Sequence, residues 1–340
     1  MKIKLNKKFL SLLFVGAITS ITSCSDVVYE KDDVSSSKTP VYDLESNEEC
    51  RSNVTEEVVS EFIEPVRIND NMPFVDIDSL EYNTRLQCIV VASSDTVIIN
   101  ENNERIGNFI TGRNYDYIGE DENNYIIDYF GIVGYVSKES TFLSTKRRII
   151  RPAINKGCMK DVTTLYEDKD LINEIDTLDI REFVLIYGEV GDSYLVQSRD
   201  KVGYVSKKSI TLMEKDAAVV DIGNQEMRIY SGTDLKVSTP VVTGTIDTYR
   251  KSDEGLFTIR VKYHPVKEFD ISPGYKVKGV LYYNGGEGIH TANNWRSEYG
   301  GDIALKNGSH GCINTPDDKF EELFEYMDIG EYVLVYTKRR

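Results

Sequence analysis

GEDENNYIIDYFGIVGYVSKES, residues 119–140, aligns without a gap to GEVGDSYLVQSRDKVGYVSKKS, residues 188–209. Ten of these 22 positions are identical, among them Gly134-Tyr135-Val136-Ser137-Lys138 and Gly203-Tyr204-Val205-Ser206-Lys207. Similarity at a fixed offset marks a repeated structural unit. Each copy is built of short apolar runs between turn residues: Val97–Ile99, Tyr115–Ile118 and Tyr125–Ile127 in the first, Phe183–Tyr187, Tyr194–Val196 and Val202–Val205 in the second. That pattern predicts short strands closing into a small barrel, one over residues 86–144 and one over 157–213. Tyr125, Tyr135, Tyr194 and Tyr204 read as barrel core, and neither copy presents a recognisable catalytic set.

Downstream of Lys215 the runs lengthen. Ala217–Ile222 and Glu226–Tyr230 flank the turn pair Gly223-Asn224 and predict a hairpin. Further strands are expected at Val237–Gly244, Gly255–Tyr263 and Val280–Tyr283. Thr315-Pro316-Asp317-Asp318 reads as a helix start, with Thr315 as N-cap, Pro316 at the first helical position and acids in the first turn. Phe320, Leu323, Phe324 and Met327 then fall on one helical face, Gly330 stops the helix, and Tyr332–Tyr336 closes the domain as a strand. The whole chain is thus expected to be mainly β, with one or two short helices in its C-terminal third.

Just before that helix lies Asn307-Gly308-Ser309-His310-Gly311-Cys312-Ile313-Asn314. A cysteine is nucleophilic as its thiolate, which a neighbouring imidazole or helix N-terminus favours. Cys312 has His310 two residues before it and the helix start shortly after it. His290, in Gly288-Ile289-His290, can return across a sheet as general base and hold the thiol ionised. Glycines 308 and 311 permit tight turning, so that amides near Cys312 converge on an oxyanion. Two other readings of these residues stand beside acyl transfer. One is a zinc site on His290, His310 and Cys312, which lacks C-x-x-C or H-E-x-x-H spacing. The other is a structural Cys-His pair in a glycine-rich loop.

The segment GIHTANNWRSEYGGDIALKNGSHGCINTP resembles the signature of the L,D-transpeptidase catalytic (YkuD) family, a histidine followed at a distance by [S/T]-H-G-C-hydrophobic-[N/R]. The likeness extends over residues 215–338, including VVDIGNQEMRIYSG and the VVTGT strand. The resemblance implies that Cys312 is the nucleophile and His290 the base, with His310 supporting the site by hydrogen bonding. Ser309 would orient the base, and Gly311 and Cys312 would supply backbone donors. Substrate contacts are expected from Asn314, Tyr283, Trp295 and Arg296. Three departures bear on loop shape: Thr291 after His290, Ser252-Asp253-Glu254-Gly255 in place of a T-P-x-G turn, and a separation of 18 residues between His290 and Ser309. None removes a reactive group. The implied activity is formation of 3–3 cross-links in peptidoglycan. Cys312 attacks the third residue of a tetrapeptide stem, D-alanine leaves, and an amine resolves the thioester. Water as acceptor would make a carboxypeptidase, and a protein amine a wall-anchoring enzyme. A non-catalytic peptidoglycan-binding lipoprotein is the competing reading. No cofactor or metal is implied, and carbapenem inhibition is. The repeats, through their terminal GYV, resemble bacterial SH3-like (SH3b) domains, which implies either wall-peptide binding or a spacer role.

The N-terminus reads as an address. Lys2, Lys4, Lys7 and Lys8 precede the apolar stretch Phe9–Thr22, which is shorter than the ~20 residues a spanning helix requires. Ile21-Thr22-Ser23-Cys24 resembles a lipobox, so residues 1–23 are expected to be a signal peptide and Cys24 the lipidated mature N-terminus. Ser25 rather than Asp after Cys24 points to an outer membrane, with the catalytic domain facing the periplasm. Residues 24–85 read as an acidic tether, 25–70 holding 13 acidic against 4 basic side chains. The net charge of −16 across 340 residues excludes a phosphate-backbone footprint, and therefore a nucleic-acid partner. Cys50, Cys88 and Cys158 are left without a spacing that singles out a pair.

Overall fold

The computed structural model describes residues 84–338, apart from 150, 200 and 247. The expected leader, Cys24, Cys50 and nearly all of the tether lie outside the described residues.

The first repeat folds as strands β1 (Thr84–Ala92), β2 (Thr96–Ile99), β3 (Arg105–Phe109), β4 (Asn114–Glu120), β5 (Asn124–Tyr129), β6 (Ile132–Ser137) and β7 (Thr141–Ile149). The second supplies β8 (Asn155–Met159), β9 (Thr163–Tyr166), β10 (Glu174–Leu178), β11 (Phe183–Val190), β12 (Ser193–Ser198), β13 (Lys201–Ser206) and β14 (Ile210–Leu212). Their strand orders, β3-β2-β6-β5-β4-β1-β7 and β10-β9-β13-β12-β11-β8-β14, are the same permutation. The duplicated sequence is therefore a duplicated topology.

The repeated glycine has a steric reason. A Cβ at Gly134 would stand 2.7 Å from Ile98 Cγ2, and one at Gly203 2.6 Å from the Tyr166 carbonyl oxygen. Each module closes at that point by bringing its sixth strand onto its second, which only a residue without a side chain allows. A second repeated contact sets Lys138 Nζ 5.3 Å from the Tyr125 ring and Lys207 Nζ 5.4 Å from the Tyr194 ring. Tyr125 and Tyr204 are buried as expected, whereas Tyr135 and Tyr194 are only half-buried.

The C-terminal region comprises β15 (Ala217–Asp221), β16 (Glu226–Ser231), β17 (Asp234–Pro240), β18 (Gly255–Thr258), β19 (Val261–Tyr263), β20 (Phe269–Ser272), β21 (Tyr275–Val277), β22 (Val280–Asn284) and β23 (Glu287–Thr291). Helix α1 (Ile303–Asn307), β24 (Ile313–Thr315), α2 (Asp317–Tyr326) and β25 (Tyr332–Tyr336) complete it. One sheet runs β17-β16-β15-β25-β18 and a second β19-β22-β23-β24, beside a β20-β21 hairpin. The core between the two sheets unites Val220 and Ile229 of the first with Leu281, Ile289 and Ile313 of the second. Phe320, Leu323 and Met327 of the predicted helical face join it, each fully buried. Burying each of these side chains contributes about 1.5–3 kcal/mol.

Three expectations are corrected. The single strand expected over Gly255–Tyr263 is two, because the chain crosses between sheets: the Ile259 amide donates to the Glu331 carbonyl and the Arg260 amide to the Tyr282 carbonyl. The strand expected to reach Gly244 ends at Pro240 and continues only as isolated bridges, Val242 to Asn314 and Gly244 to Ser309. Pro316, not Thr315, is the N-cap, and no side chain caps the helix.

The second module packs directly on the C-terminal region. Cys158 and Phe183 share a core with Ala217, Val219, Tyr230, Leu334 and Tyr336. Arg199, in the turn after β12, places Nη2 2.7 Å from Asp221 Oδ2 and 2.8 Å from Glu226 Oε2. From the first module, Arg113 donates to the carbonyls of Asn224 and Gly223, at 2.8 and 3.0 Å.

Candidate active site

Strands β23 and β24 pair in parallel, Ile289 with Ile313, His290 with Asn314 and Thr291 with Thr315. Partners in such a ladder carry their side chains to the same face, and residues two apart along a strand share a face. His290 meets Asn314 across the ladder, and Cys312 lies two residues before Asn314 at the entry to β24. The imidazole and the sulfur therefore belong to one face of this strand pair. Among the described residues no hydrogen bond joins them: the Cys312 thiol is directed to the Gly286 carbonyl, 3.8 Å away, and His290 bonds the Thr291 carbonyl and Asn314.

His290 is 2% exposed and held at both ring nitrogens. Nδ1 lies 2.8 Å from the Thr291 carbonyl, so it carries the proton and donates there. Nε2 is left as the acceptor and takes a 3.3 Å hydrogen bond from Asn314 Nδ2. The Asn314 amide is oriented in turn by Arg296, whose Nε donates to Oδ1 at 3.0 Å and whose Nη1 donates to the Asn307 carbonyl at 2.9 Å. The Trp295 ring centroid is 6.0 Å from that of His290, and Tyr275 stands edge-on to Trp295 at 5.2 Å. The base thus has one tautomer, with its lone pair turned towards the β24 side.

The cysteine loop is fixed from beneath by residues 242–252. Ser309 donates its amide to the Thr243 carbonyl at 2.9 Å, and Thr245 returns one to the Ser309 carbonyl at 3.2 Å. Ser252 Oγ donates to the Gly311 carbonyl at 2.6 Å while accepting from the Gly244 amide at 2.9 Å. Gly311 has φ of 119°, a conformation closed to L side chains, and any Cβ there would stand 2.7 Å from Glu287 Oε1. Only glycine fits before the cysteine.

Burial governs the electrostatics. It pushes the His290 imidazole down to about 4, which the Thr291 carbonyl opposes and the Arg296 charge reinforces. It also pushes the Cys312 thiol up; the Gly288 amide bonded to sulfur works against this, and the Glu287 carboxylate adds to it. A thiol beside a neutral imidazole is therefore the resting pair, in place of the ionised thiol expected from residue types alone. Strand β24 also separates Cys312 from the start of α2, so the sulfur does not sit at the helix terminus.

Other expected roles change. His310 is exposed and, among the described residues, has no hydrogen-bond partner, so it does not brace the site. Ser309 does not reach His290; its Oγ donates to the Cys312 carbonyl at 2.5 Å and accepts from the Gly311 amide at 3.1 Å. The Gly311 amide is thereby occupied, which leaves the Cys312 amide as the donor at the nucleophile itself. Tyr283 is fully buried beside Phe257 and cannot line a substrate groove, and Asn314 serves the base. Trp295 and Arg296 are half-buried around His290 and Asn314, beside a cavity of about 610 Å³ that also borders Arg105, Asn108 and Glu298. Among the described residues no group of three or more histidine, cysteine or acidic side chains is placed to hold a metal.

Sequence reasoning missed the Thr291 carbonyl, for which side-chain identity carries no signal. It also missed Ser252, whose position in an unusual turn was visible, and the carboxylates of Asp253 and Glu287 near Cys312.

Comparison with known proteins accords with this geometry. Residues 215–335 match the YkuD family, described as the L,D-transpeptidase catalytic domain. No curated protein matches the chain. Among solved structures, the NMR structure of the catalytic domain of an Enterococcus faecium L,D-transpeptidase is 31% identical, covering 36% of this chain and 98% of its own, with a TM-score of 0.32. The same domain acylated by ertapenem is 34% identical over 36% and 98% of the two chains, with a TM-score of 0.32. A Mycobacterium smegmatis L,D-transpeptidase is 17% identical over 45% and 90%, with a TM-score of 0.31. With Cys312 and His290 on one face of a strand pair inside the matched residues, the C-terminal third of this chain, residues 215–335, is an L,D-transpeptidase catalytic domain.

Proposed function

We propose that this protein is a lipid-anchored peptidoglycan L,D-transpeptidase that forms 3–3 cross-links by cysteine acyl transfer. The observation that carries the reading is the β23–β24 register, which sets a single-tautomer imidazole and the thiol on one face. As the sulfur attacks the carbonyl of the third stem residue, its proton passes to His290 Nε2, whose lone pair gives up the 3.3 Å Asn314 hydrogen bond to receive it. The tetrahedral oxyanion is met by the Cys312 amide. His290 then gives the proton to the departing D-alanine nitrogen, leaving a thioester on Cys312 and a neutral ring. An amine of a neighbouring stem attacks the thioester, the C–N bond forms, the C–S bond breaks, and the thiol is regenerated through His290. The same nucleophile opens the strained carbonyl of a carbapenem, which makes that drug class an inhibitor.

The tether and the two SH3-like modules carry the catalytic domain from an outer-membrane anchor at Cys24 towards the wall. Purified protein and its Cys312→Ala variant, each incubated with isolated sacculi, test the reading through the muropeptides released by digestion. The wild type yields 3–3 dimers or D-alanine-trimmed stems and the variant yields neither; absence of both products from the wild type refutes it.

A further inference from the structure

We propose that the Arg296 guanidinium is the subsite for the terminal carboxylate of the donor stem, the group carried by the D-alanine that leaves. This rests on the transpeptidase reading above and names the part of the donor that the same site recognises. Arg296 is half-buried and fixed at two of its nitrogens, Nε on Asn314 Oδ1 at 3.0 Å and Nη1 on the Asn307 carbonyl at 2.9 Å. Both acceptors are neutral. Among the described residues no aspartate or glutamate bonds this guanidinium, and Nη2 meets no acceptor. A cation drawn partly out of water without a counter-charge is costly, and burial holds Arg296 below the ordinary arginine value.

The cavity of about 610 Å³ that Arg296 borders supplies no counter-ion of its own. Its Glu298 pairs with Arg105 at 3.4 Å, and its Asp95 accepts from the Thr111 amide and hydroxyl at 2.8 and 2.6 Å. Asp302 stands at the head of α1. Lys306, exposed on the same wall, has no acidic partner among the described residues. Two cations therefore face this space without acids bonded to them, and an anion is the ligand they fit.

The position suits the leaving group. His290 protonates the nitrogen of the departing D-alanine, and the carboxylate carbon of that residue lies only about 2.5 Å from its own nitrogen. The cation that receives it must stand beside the base. Arg296 is one amide group away: Asn314 Oδ1 accepts from the guanidinium, and Asn314 Nδ2 donates to His290 Nε2 at 3.3 Å. A planar guanidinium already pinned in place loses little side-chain entropy when a carboxylate meets its remaining N–H groups.

The electrostatics of the base favour the same assignment. After burial, the Arg296 charge is a further influence that disfavours the imidazolium which the first half-reaction must form. A lasting cation at that point opposes catalysis unless an anion arrives with the substrate. The donor carboxylate is such an anion. Paired with Arg296, it cancels the repulsion, and His290 regains affinity for a proton as the thiol gives one up.

The test compares, in the full chain, two muropeptide donors: a tetrapeptide stem ending in D-alanine and the same stem ending in D-alaninamide, whose terminus is uncharged. Release of the fourth residue gives kcat/KM for each. The wild type is expected to favour the carboxylate donor by about 10- to 100-fold, the worth of one or two charge-assisted hydrogen bonds. Arg296→Gln should bring that preference to within a few-fold of one, and Arg296→Lys should restore part of it. Asn314→Ala should slow both donors alike and keep the preference, because the amide serves the base. Equal turnover of the two donors by the wild type, which needs no variant to fold, overturns the subsite alone. So does a preference that survives in Arg296→Gln, or one lost equally in Asn314→Ala. Absence of release from both donors in the wild type overturns the transpeptidase reading and the subsite with it.

Discussion

The protonation of the Cys312–His290 pair is the most exposed consequence of the structure, and pH is the perturbation that reads it. Burial holds the imidazole near 4 and lifts the thiol above its ordinary value. With the thiol raised and the imidazole lowered, the neutral thiol–imidazole pair outweighs the thiolate–imidazolium pair at rest. Alkylation by iodoacetamide, followed at the Cys312 peptide by mass spectrometry, should therefore rise about tenfold per pH unit from pH 6 to 8 without a plateau. The same shift has a stability sign. The folded value of His290 lies below its unfolded value, so its contribution is complete above about pH 6.5 and is lost as pH falls towards 4, by about 3 kcal/mol over that 2.5-unit window. His290→Gln should flatten that part of the stability profile. An alkylation plateau between pH 5 and 7, or a ring that titrates above 6, would refute the neutral resting pair.

Three further outcomes follow from individual contacts. Arg199→Met leaves Asp221, with a side chain 1% exposed, without its cation, and should cost about 3–5 kcal/mol in denaturant unfolding. Because Arg199 holds both Asp221 and Glu226 below the usual carboxylate range, the wild-type advantage is present above about pH 4 and shrinks below it; a deficit under about 1 kcal/mol at neutral pH would contradict the assignment. Asn314→Ala should lower kcat about 10- to 100-fold with KM little changed, since the amide serves the base; a matching rise in KM alone would place it on the substrate instead. Gly311→Ala should destabilise the protein by about 1–3 kcal/mol through its backbone conformation, visible as a lower melting temperature, and should abolish turnover; native stability and activity would show that the loop adapts.

Much of the fold was legible because it rests on local patterns. The duplicated Gly-Tyr-Val segments announced two modules, and their shared glycine proved to be the point where a strand closes on its neighbour. The face Phe320, Leu323, Met327 marked α2, and the alternation at Tyr332–Tyr336 marked β25 with its exact bounds. What stayed hidden depends on tertiary packing. Ile259 and Arg260 continue an apolar run while the backbone leaves one sheet for another. At the site, the nucleophile, the base and the obligate glycine were readable from residue type and spacing. The direction of the charge balance was not, because it follows from how deeply β23 is covered rather than from the histidine itself. Ser309 and His310 sit beside Cys312 in sequence, yet one braces the loop and the other faces solvent, a distinction set by the backbone turn at Gly311.

The central claim is that the sulfur of Cys312 accepts an acyl group from a stem peptide, and the intact mass of the full chain during turnover of a tetrapeptide muropeptide reads this most directly. A covalent adduct equal to the donor minus D-alanine, mapped by fragmentation to residue 312, labile to hydroxylamine and absent from Cys312→Ala, is the expected result. Turnover with no adduct under rapid quench, or an adduct that persists in Cys312→Ala, would contradict it.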